Sequence, residues 1–310
     1  NCSFLGNKAD REGGALAIQT TKSVVVTNCL FEGNQGGLKP ASQTGASLLT
    51  NPPTNSGCGG AIYIDSGFTG AATQNDQMKA FRITRTVFRK NKAVNGHAIY
   101  IRNGLTRSNA LELDFIVYDG TVFTDNGIGG CTILTEIDKF SVEPETVFNF
   151  TLKNESSRPF DFGPGTVAVY ENLIFENVAA ATTNDEGSVI HLMEGILAAR
   201  IINCQFINCG IDKGFVVTCY MENLLYQRNN ITFESSAEAI KGLGIFAHGD
   251  YTIETSTFQR CNCRQEKDTA GGLYIKPDPL TKFDYLTFND VTFDECYGDN
   301  RRCFYITWNI

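Results

Sequence analysis

The sequence predicts an all-β fold, a parallel β-helix solenoid of about nine or more coils with loop insertions. Three recurring features carry this prediction: a phenylalanine closing a short apolar strand, an asparagine three residues after it, and a Gly-Gly turn that opens another strand. The shortest interval between these phenylalanines is about 25 residues, which fits a repeat that buries its apolar face by stacking on its neighbours. The phenylalanines are Phe4, Phe31, Phe88, Phe123, Phe175, Phe206, Phe233, Phe258 and Phe293.

Each repeat contains three strand-like stretches. One ends at the phenylalanine, as at residues 27–31; one follows the glycine turn, as at residues 59–64; and one precedes the phenylalanine strand, as at residues 24–26. These runs are short, rich in β-branched and aromatic residues and bounded by Gly and Asn. Three such strands in a coil of about two dozen residues indicate a parallel β-helix.

The asparagines three residues after the phenylalanines predict a ladder of side-chain amides. In-register asparagines hydrogen-bond from coil to coil, as they do in cross-β stacks, and Asn tolerates the left-handed backbone of a sharp corner. The predicted ladder consists of Asn7, Asn34, Asn91 and Asn126. In later repeats the same position holds Val178, Cys209, Ser236, Cys261 and Cys296.

The repeat continues from Phe4 to Phe293, so we expect residues 1–310 to form a single β-helix domain. The chain begins and ends inside a repeat without a polar cap, which predicts a segment of a longer protein. Excess length in some intervals predicts insertions at about residues 35–57, 67–77, 103–110 and 138–164. Such loops either bind a partner or decorate the surface, and the last range is alternatively a weak extra coil.

The 11 cysteines are typical of a chain from an oxidising compartment. Cys2 and Cys29 each lie two residues before a phenylalanine, and Cys261 and Cys296 each lie three residues after one. Because stacked strands lie about 4.8 Å apart, within reach of a disulfide, we predict Cys2–Cys29 and Cys261–Cys296 disulfides. The alternative is a stack of buried, reduced cysteines. The spacing of Cys261 and Cys263 does not fit a zinc site, so we expect no metal.

Composition narrows the class of function. A net charge of −8 and a pI of about 5.0 argue against nucleic-acid binding, which needs clustered basic residues. No apolar run reaches about 18 residues, so we predict no membrane span in this segment. Asn149, Asn154 and Asn230 stand in Asn-x-Ser/Thr sequons and are candidate N-glycosylation sites.

Motifs of known catalytic machinery do not occur in the sequence. The three histidines, His97, His191 and His248, fall in different columns of the repeat, and no nucleophile elbow, His-Glu-x-x-His or phosphate loop is found. A β-helix that cleaves acidic polysaccharides gathers carboxylates on one face, whereas Asp65 and Glu136 are isolated in their column. We therefore expect no catalytic residues and no cofactor.

One strand column carries apolar side chains although it is assigned to the outside. The column before it, assigned to the inside, includes Leu16, Tyr274 and Phe304. We expect the apolar outside column to be covered by the insertions, by a second subunit or by a bound saccharide. The alternative is that the assignment of inside and outside is inverted. The outside column is Ala17, Tyr63, Tyr100, Leu134, Ile190, Val216, Phe246, Ile275 and Tyr305. The candidate assembly or ligand face within it is Tyr63, Tyr100, Leu134, Phe246 and Tyr305.

The Phe-x-x-Asn motifs between Phe4 and Asn126 and the Gly-Gly-Ala-Leu/Ile motifs at residues 13–16 and 59–62 resemble the repeats of polymorphic outer-membrane proteins (Pmp). The resemblance covers most of the chain and weakens after Phe175. It implies a right-handed parallel β-helix of the pectin-lyase-like superfamily, as in passenger domains of surface adhesins. It transfers no catalytic residue, because the repeats contain none.

These observations predict a non-enzymatic extracellular or cell-surface protein, a structural or adhesive building block of a surface or filamentous assembly. Expected partners are other copies of the chain or other extracellular proteins, with glycans as a further option. Open coil ends favour assembly because they expose unpaired strand edges. The alternative is a polysaccharide-binding or polysaccharide-cleaving enzyme of the pectin-lyase-like type, which needs two or more carboxylates within about 10 Å.

Overall fold

The computed structural model forms two compact units, each described separately below. The first contains Asn1–Thr146 and Glu155–Gly163, and the second contains Val147–Asn154 and Pro164–Ile310. Every regular element of the described residues is a β-strand, as predicted. The structure describes residues 1–19, 23–38, 57–65, 80–102, 114–117, 121–135, 150–153, 156–162, 167–180, 187–196, 198–211, 214–234, 239–247, 249–263, 270–276, 285–298 and 302–306.

In the first unit, the strands form three parallel sheets. The phenylalanine sheet contains β1 (Ser3–Leu5), β4 (Leu30–Glu32), β7 (Val87–Arg89) and β10 (Val122–Thr124). The glycine-turn sheet contains β2 (Leu16–Gln19), β5 (Ile62–Asp65), β8 (Ile99–Arg102), β11 (Ile128–Thr135) and β13 (Ser156–Phe162). The third sheet contains β3 (Ser23–Thr27), β6 (Ala80–Thr84) and β9 (Asp114–Val117).

In the second unit, the long strand β23 (Asp250–Gln259) joins two rows of shorter strands. Its second half continues the row β12 (Phe150–Lys153), β15 (Leu173–Glu176), β18 (Gln205–Ile207) and β21 (Asn230–Thr232). Its first half continues the row β14 (Val167–Glu171), β17 (Ala198–Ile202) and β20 (Asn223–Gln227). The strand β26 (Tyr285–Asp294) pairs with β23 along its whole length.

A separate sheet of the second unit follows the glycine turns. Its parallel strands are β16 (Gly187–Leu192), β19 (Phe215–Cys219), β22 (Ala239–Ile245), β25 (Leu273–Ile275) and β27 (Phe304–Ile306). The short strand β24 (Asn262–Cys263) pairs antiparallel with β22. The remaining pairings between strands in both units are parallel and, apart from one register shift in β11–β13 and one in β16–β19, in register. This is the arrangement of a β-solenoid.

Stacked phenylalanine rings fill the core of the first unit. The ring of Phe31 lies 4.6 Å from that of Phe4 and 4.8 Å from that of Phe88, and Phe88 stacks on Phe123 at 4.7 Å. Phe31, Phe88 and Phe123 are fully buried. Offset-stacked rings at these separations add to the free energy gained by burial. Identical residues at identical positions of each coil therefore produce a continuous apolar column.

The predicted column is wrong at one position of the second unit. Ile231 pairs with Phe206 on one side and Phe258 on the other, so Ile231 occupies the column position assigned to Phe233. Phe233 lies two residues further along, on the same face, and is also buried. Similarly, Leu152 is the residue that pairs with Phe175 in β12.

Strands also occupy part of the range 138–164, which includes β12 and β13. Both alternatives for this range, a projecting loop and a weak extra coil, stay predictions. The insertion at 35–57 is described only at its ends, where Gln35 bridges to Lys8 and Lys92. The insertions at 67–77 and 103–110 lie outside the described residues.

Left-handed residues form the corners between strands. The residue two positions after a column phenylalanine has a positive φ, as at Lys90 (φ 56°) and Asp125 (φ 55°). The residue three positions before a column phenylalanine also has a positive φ, as at Asn28 (φ 53°) and Asn203 (φ 53°). Asn and Asp adopt this conformation at low cost because their side chains hydrogen-bond locally. The corners thus follow from the same repeat that places the phenylalanines.

The Gly-Gly turn has a different role for each glycine. Gly59 has φ of +67°, a left-handed conformation that disfavours other residues. At Gly60 an added Cβ would overlap the carbonyl oxygen of His97 and lie 2.7 Å from the amide nitrogen of Lys92. Neighbouring coils therefore approach each other too closely at this turn for any side chain.

Candidate functional site

Four asparagine side chains form an amide ladder at one corner of the first unit, in which Asn34, Asn91 and Asn126 are buried and Asn7 is exposed. Nδ2 of Asn7 donates to Oδ1 of Asn34 at 2.9 Å, Asn34 donates to Asn91 at 2.9 Å, and Asn91 donates to Asn126 at 3.0 Å. The second Nδ2 hydrogen of Asn91 binds the carbonyl oxygen of Phe31 at 3.0 Å. The side chains of Asn34 and Asn91 thus each hydrogen-bond to the coils on both sides, which gives this column a structural role.

A second column of polar side chains lies two residues before the phenylalanine position and was not predicted from the sequence. The backbone N–H of Cys204 donates to Oδ1 of Asn229 at 2.9 Å, and the N–H of Asn229 donates to Oγ of Ser256 at 3.1 Å. In the first unit, Thr86 accepts from the N–H of Cys29 at 3.4 Å. The residue type varies between Cys, Thr, Asn and Ser, and only the shared position two residues before the apolar column would have revealed it.

In the first unit, the tyrosines of the candidate face are buried. Tyr63 and Tyr100 are paired in register, and their rings are stacked at 5.7 Å. They are only 3% and 2% exposed and pack with Cys58. Leu134 pairs with Tyr100 in the same column. The rings of Tyr63 and Tyr100 are therefore inside the chain's own fold and offer no contact surface to a partner.

In the second unit, aromatic rings form a row along the glycine-turn sheet. Tyr220 stacks on Phe246 at 4.8 Å, and Tyr274 stacks on Tyr305 at 5.4 Å, with Phe246 and Tyr274 separated by 5.9 Å. The guanidinium of Arg302 lies 4.9 Å from the ring centre of Tyr305. Phe246 and Tyr305 are half-buried, and one face of each ring contacts another ring. The role of these residues in assembly or ligand binding stays a prediction.

The register of this row differs from the alignment in the sequence. Tyr274 pairs with Tyr305, and Ile275 pairs with Ile306, so Tyr274 and Phe304 do not share a column. Likewise, Ile190 pairs with Val217, where the alignment had placed Val216. The register in β16 is irregular after Gly187, and a one-residue shift moves side chains to the opposite face.

Carboxylates on the outer faces form ion pairs with arginines of neighbouring strands. Glu32 lies 2.7 Å from Arg89, and Glu295 lies 2.8 Å from Arg260. The hydrogen bond from Arg89 holds the pKa of Glu32 below its ordinary value. A carboxylate held ionised in this way is a poor general acid at neutral pH. The described residues contain no group of three or more His, Cys, Asp or Glu side chains suited to a metal ion.

Both predicted cysteine pairs lie on adjacent strands. Ser3 pairs with Leu30, which places Cys2 beside Cys29, and the N–H of Leu30 donates to the carbonyl oxygen of Cys2 at 2.9 Å. These two residues, and likewise Cys261 and Cys296, are present as thiols. The two disulfides therefore stay predictions that the register accommodates.

The predicted glycosylation sites differ in their position. Asn230 is exposed at the start of β21, whereas Asn149 and Asn154 lie outside the described residues. Glycosylation at all three stays a prediction. Within the described part of the chain, no helix is long and apolar enough to cross a membrane.

The last long strand of the second unit leaves its inward-facing side chains uncovered. Ile253 in β23 is fully buried, but its partner Phe288 in β26 is 38% exposed. Phe258 is fully buried, and its partner Phe293 is only half-buried. Leu286 is half-buried, although its partner Tyr251 in β23 is 1% exposed. These apolar side chains and the strand edge beside them form the uncovered end surface of β26.

Parallel strands stacked in register and joined by side-chain ladders define a β-solenoid repeat protein. Residues 1–19 and 28–65 match the family model of the Chlamydia polymorphic membrane protein repeat. The matched residues contain the Phe-x-x-Asn motifs at Phe4 and Phe31 and the Gly-Gly-Ala turns at residues 13–15 and 59–61, so the predicted resemblance to Pmp-type repeats is confirmed over these residues. The chain matches none of the curated proteins and none of the solved structures with which it was compared.

Proposed function

We propose that this chain is a non-enzymatic extracellular or cell-surface β-helix that serves as a structural or adhesive building block of a larger assembly. The proposal includes a right-handed solenoid of about nine or more coils that form one domain. The Pmp-type repeats support a location at the cell surface, since the matched family is described as a membrane protein. The uncovered end surface of β26 is the observation that carries the assembly role.

The end surface of β26 is suited to a further β-coil. Phe288 contacts Phe304 edge to face at 5.6 Å, and Phe293 lies 6.1 Å from Phe304, so three rings form one apolar patch. Phe304 is 39% exposed. Within the described residues β26 pairs with β23 alone. Exposed rings beside such a strand edge favour association, because an added strand removes the rings from water and hydrogen-bonds to the edge.

The partner we propose for this surface is a second copy of the chain. In the first unit, Phe4 is half-buried and stacks on Phe31, and the neighbouring Leu5 is 58% exposed. The apolar side chains of β1 in one copy therefore match the chemistry of the apolar patch on β26 in another copy. Other extracellular proteins with an exposed apolar strand fit the same surface less specifically.

The experiment compares two lysine substitutions on β26 by light scattering across a range of protein concentrations. Phe288→Lys places a charge in the apolar patch, whereas Thr287→Lys adds the same charge on the adjacent exposed residue, which faces the other side of the strand. We expect the unmodified chain and T287K to associate and F288K to stay monomeric, with unchanged circular dichroism. A monomeric unmodified chain, or equal association of both variants, would contradict the proposal.

The enzymatic alternative is tested on the same preparations. The ion pairs of Glu32 and Glu295 with arginines support a structural role for these carboxylates. We expect no release of unsaturated or reducing sugar from acidic or neutral polysaccharides, with and without added calcium. Depolymerisation that is lost on heat denaturation would replace the structural proposal with a polysaccharide-cleaving function.

A further inference from the structure

Three cysteines lie near one another at strand ends of the second unit. Cys261 follows β23, Cys296 follows β26, and Cys303 directly precedes β27. Gln259 pairs with Asp294 and Asn262 bridges to Tyr297, so Cys261 and Cys296 lie side by side between these pairs. The N–H of Tyr297 donates to the carbonyl oxygen of Cys261 at 3.0 Å and fixes this register. Adjacent strands at about 4.8 Å allow the Cα separation of a disulfide.

Cys303 is held against this pair by its side chain and by its backbone. Its thiol donates to the carbonyl oxygen of Cys296 at 2.9 Å. Its own carbonyl oxygen accepts from the N–H of Gly272 at 3.0 Å and from the N–H of Leu273 at 3.2 Å. The sulfur of Cys303 is thereby kept next to Cys296.

The three thiols differ in their access to solvent and in their acidity. Cys261 and Cys296 are 0% and 1% exposed, whereas Cys303 is half-buried. The hydrogen bond from the Cys261 thiol holds the pKa of Cys296 below its ordinary value, and burial raises the pKa of Cys261 and of Cys303. A soluble oxidant therefore meets Cys303 first, and the thiol of Cys296 lies behind it.

We propose that Cys303 is a relay cysteine that transfers oxidising equivalents from a small soluble disulfide to the buried pair Cys261 and Cys296. In the first step, the Cys303 thiolate attacks the soluble disulfide, forms a mixed disulfide and releases one small thiol. The Cys296 thiolate then attacks the sulfur of Cys303 and releases the second small thiol.

In the last step, the Cys261 thiolate attacks the sulfur of Cys296, and Cys303 leaves as a thiolate. The buried pair loses two electrons and two protons and becomes a disulfide, while the soluble disulfide becomes two thiols. Cys303 is regenerated unchanged. The product joins β23 to β26 covalently next to the uncovered end surface, and a small reducing thiol reverses the sequence.

The test follows the intact chain during reaction with oxidised glutathione at pH 8, with quenching by N-ethylmaleimide and peptide mapping. The unmodified chain is expected to form Cys261–Cys296, and Cys303→Ser to form the same bond about tenfold or more slowly. Cys261→Ser is expected to accumulate a Cys296–Cys303 bond, and Cys296→Ser to accumulate glutathione on Cys303.

Cys2→Ser is the matched control, because Cys2 is exposed and belongs to the first unit; it should leave the rate of Cys261–Cys296 formation unchanged. Circular dichroism verifies that each variant is folded. The relay is overturned if C303S oxidises the buried pair as fast as the unmodified chain, or if C261S forms no Cys296–Cys303 bond.

Discussion

The side-chain amide of Asn34 donates to Oδ1 of Asn91 at 2.9 Å, and both residues are fully buried. The same Oδ1 accepts the backbone N–H of Asn34 at 3.1 Å. A single carboxamide oxygen therefore satisfies two donors of the adjacent coil. Buried polar groups that are satisfied in this way stabilise one register over all others, because a shifted coil would leave them unpaired.

Asn91→Ala should lower the free energy of unfolding by about 3 kcal/mol, because it leaves buried donors and acceptors of Asn34, Asn126 and Phe31 without partners. Asn7→Ala removes the exposed end of the ladder and should cost about 0.5–1 kcal/mol. Urea unfolding of both variants measures the difference. A cost at Asn91 no greater than at Asn7 would show that the ladder adds little.

Phe88→Ala should destabilise the first unit by about 3–5 kcal/mol, because it opens a cavity between two stacked rings. Phe88→Leu retains most of the volume and should cost about 1–1.5 kcal/mol. Phe288→Ala, on a ring that is already 38% exposed, is the control and should cost less than either. Thermal unfolding followed by circular dichroism would detect the order, and any other order would contradict the stacked column.

Gly60→Ala should destabilise the chain by about 2 kcal/mol or more, since the added methyl group overlaps the backbone of the adjacent coil. Gly6→Ala is the matched control. Gly6 has φ of +60° but nothing within 4 Å of an added Cβ, so only backbone strain of about 1 kcal/mol is expected. Similar losses at both positions would mean that the coils separate to accommodate the methyl group.

Burial raises the pKa of Cys204, Cys209 and Cys219 to about 12. At pH 8 the thiolate is then roughly one part in ten thousand, so iodoacetamide should not modify these residues in the folded chain. Exposed Cys2 serves as the reactive control. The rate at the three buried thiols should rise about tenfold for each pH unit up to about pH 12 while the fold persists. Equal labelling of Cys2 and Cys204 at pH 8 would contradict this environment.

The sequence predicted most about the first unit because Phe and Asn recur there at one fixed offset. The rings from Phe4 to Phe123 and the amides from Asn7 to Asn126 lie in columns at the expected positions. Where the apolar position is aliphatic, an alignment on phenylalanine fails. Ile231 and Phe233 both face inward, since alternate strand residues share a face, and only the pairing of Ile231 with its neighbours distinguishes them.

The candidate face was less predictable because burial of an outer side chain depends on what packs against the sheet. Tyr63 and Phe246 were assigned to one column, yet Tyr63 is 3% exposed and Phe246 is half-buried. Cys58, which precedes the glycine turn, packs against Tyr63. The repeat specifies contacts between coils, whereas contacts outside the coil depend on residues that do not repeat.

In the amide ladder from Asn7 to Asn126, each bond between two side-chain amides runs from Nδ2 of the earlier coil to Oδ1 of the later coil. The other Nδ2 hydrogen of Asn34, Asn91 and Asn126 returns to a phenylalanine carbonyl oxygen of the preceding coil. A coil therefore continues the ladder only if its corner supplies an acceptor toward the earlier coil and a donor toward the later one. Growth of such a stack is consequently directional, and a reversed coil would place two acceptors against each other.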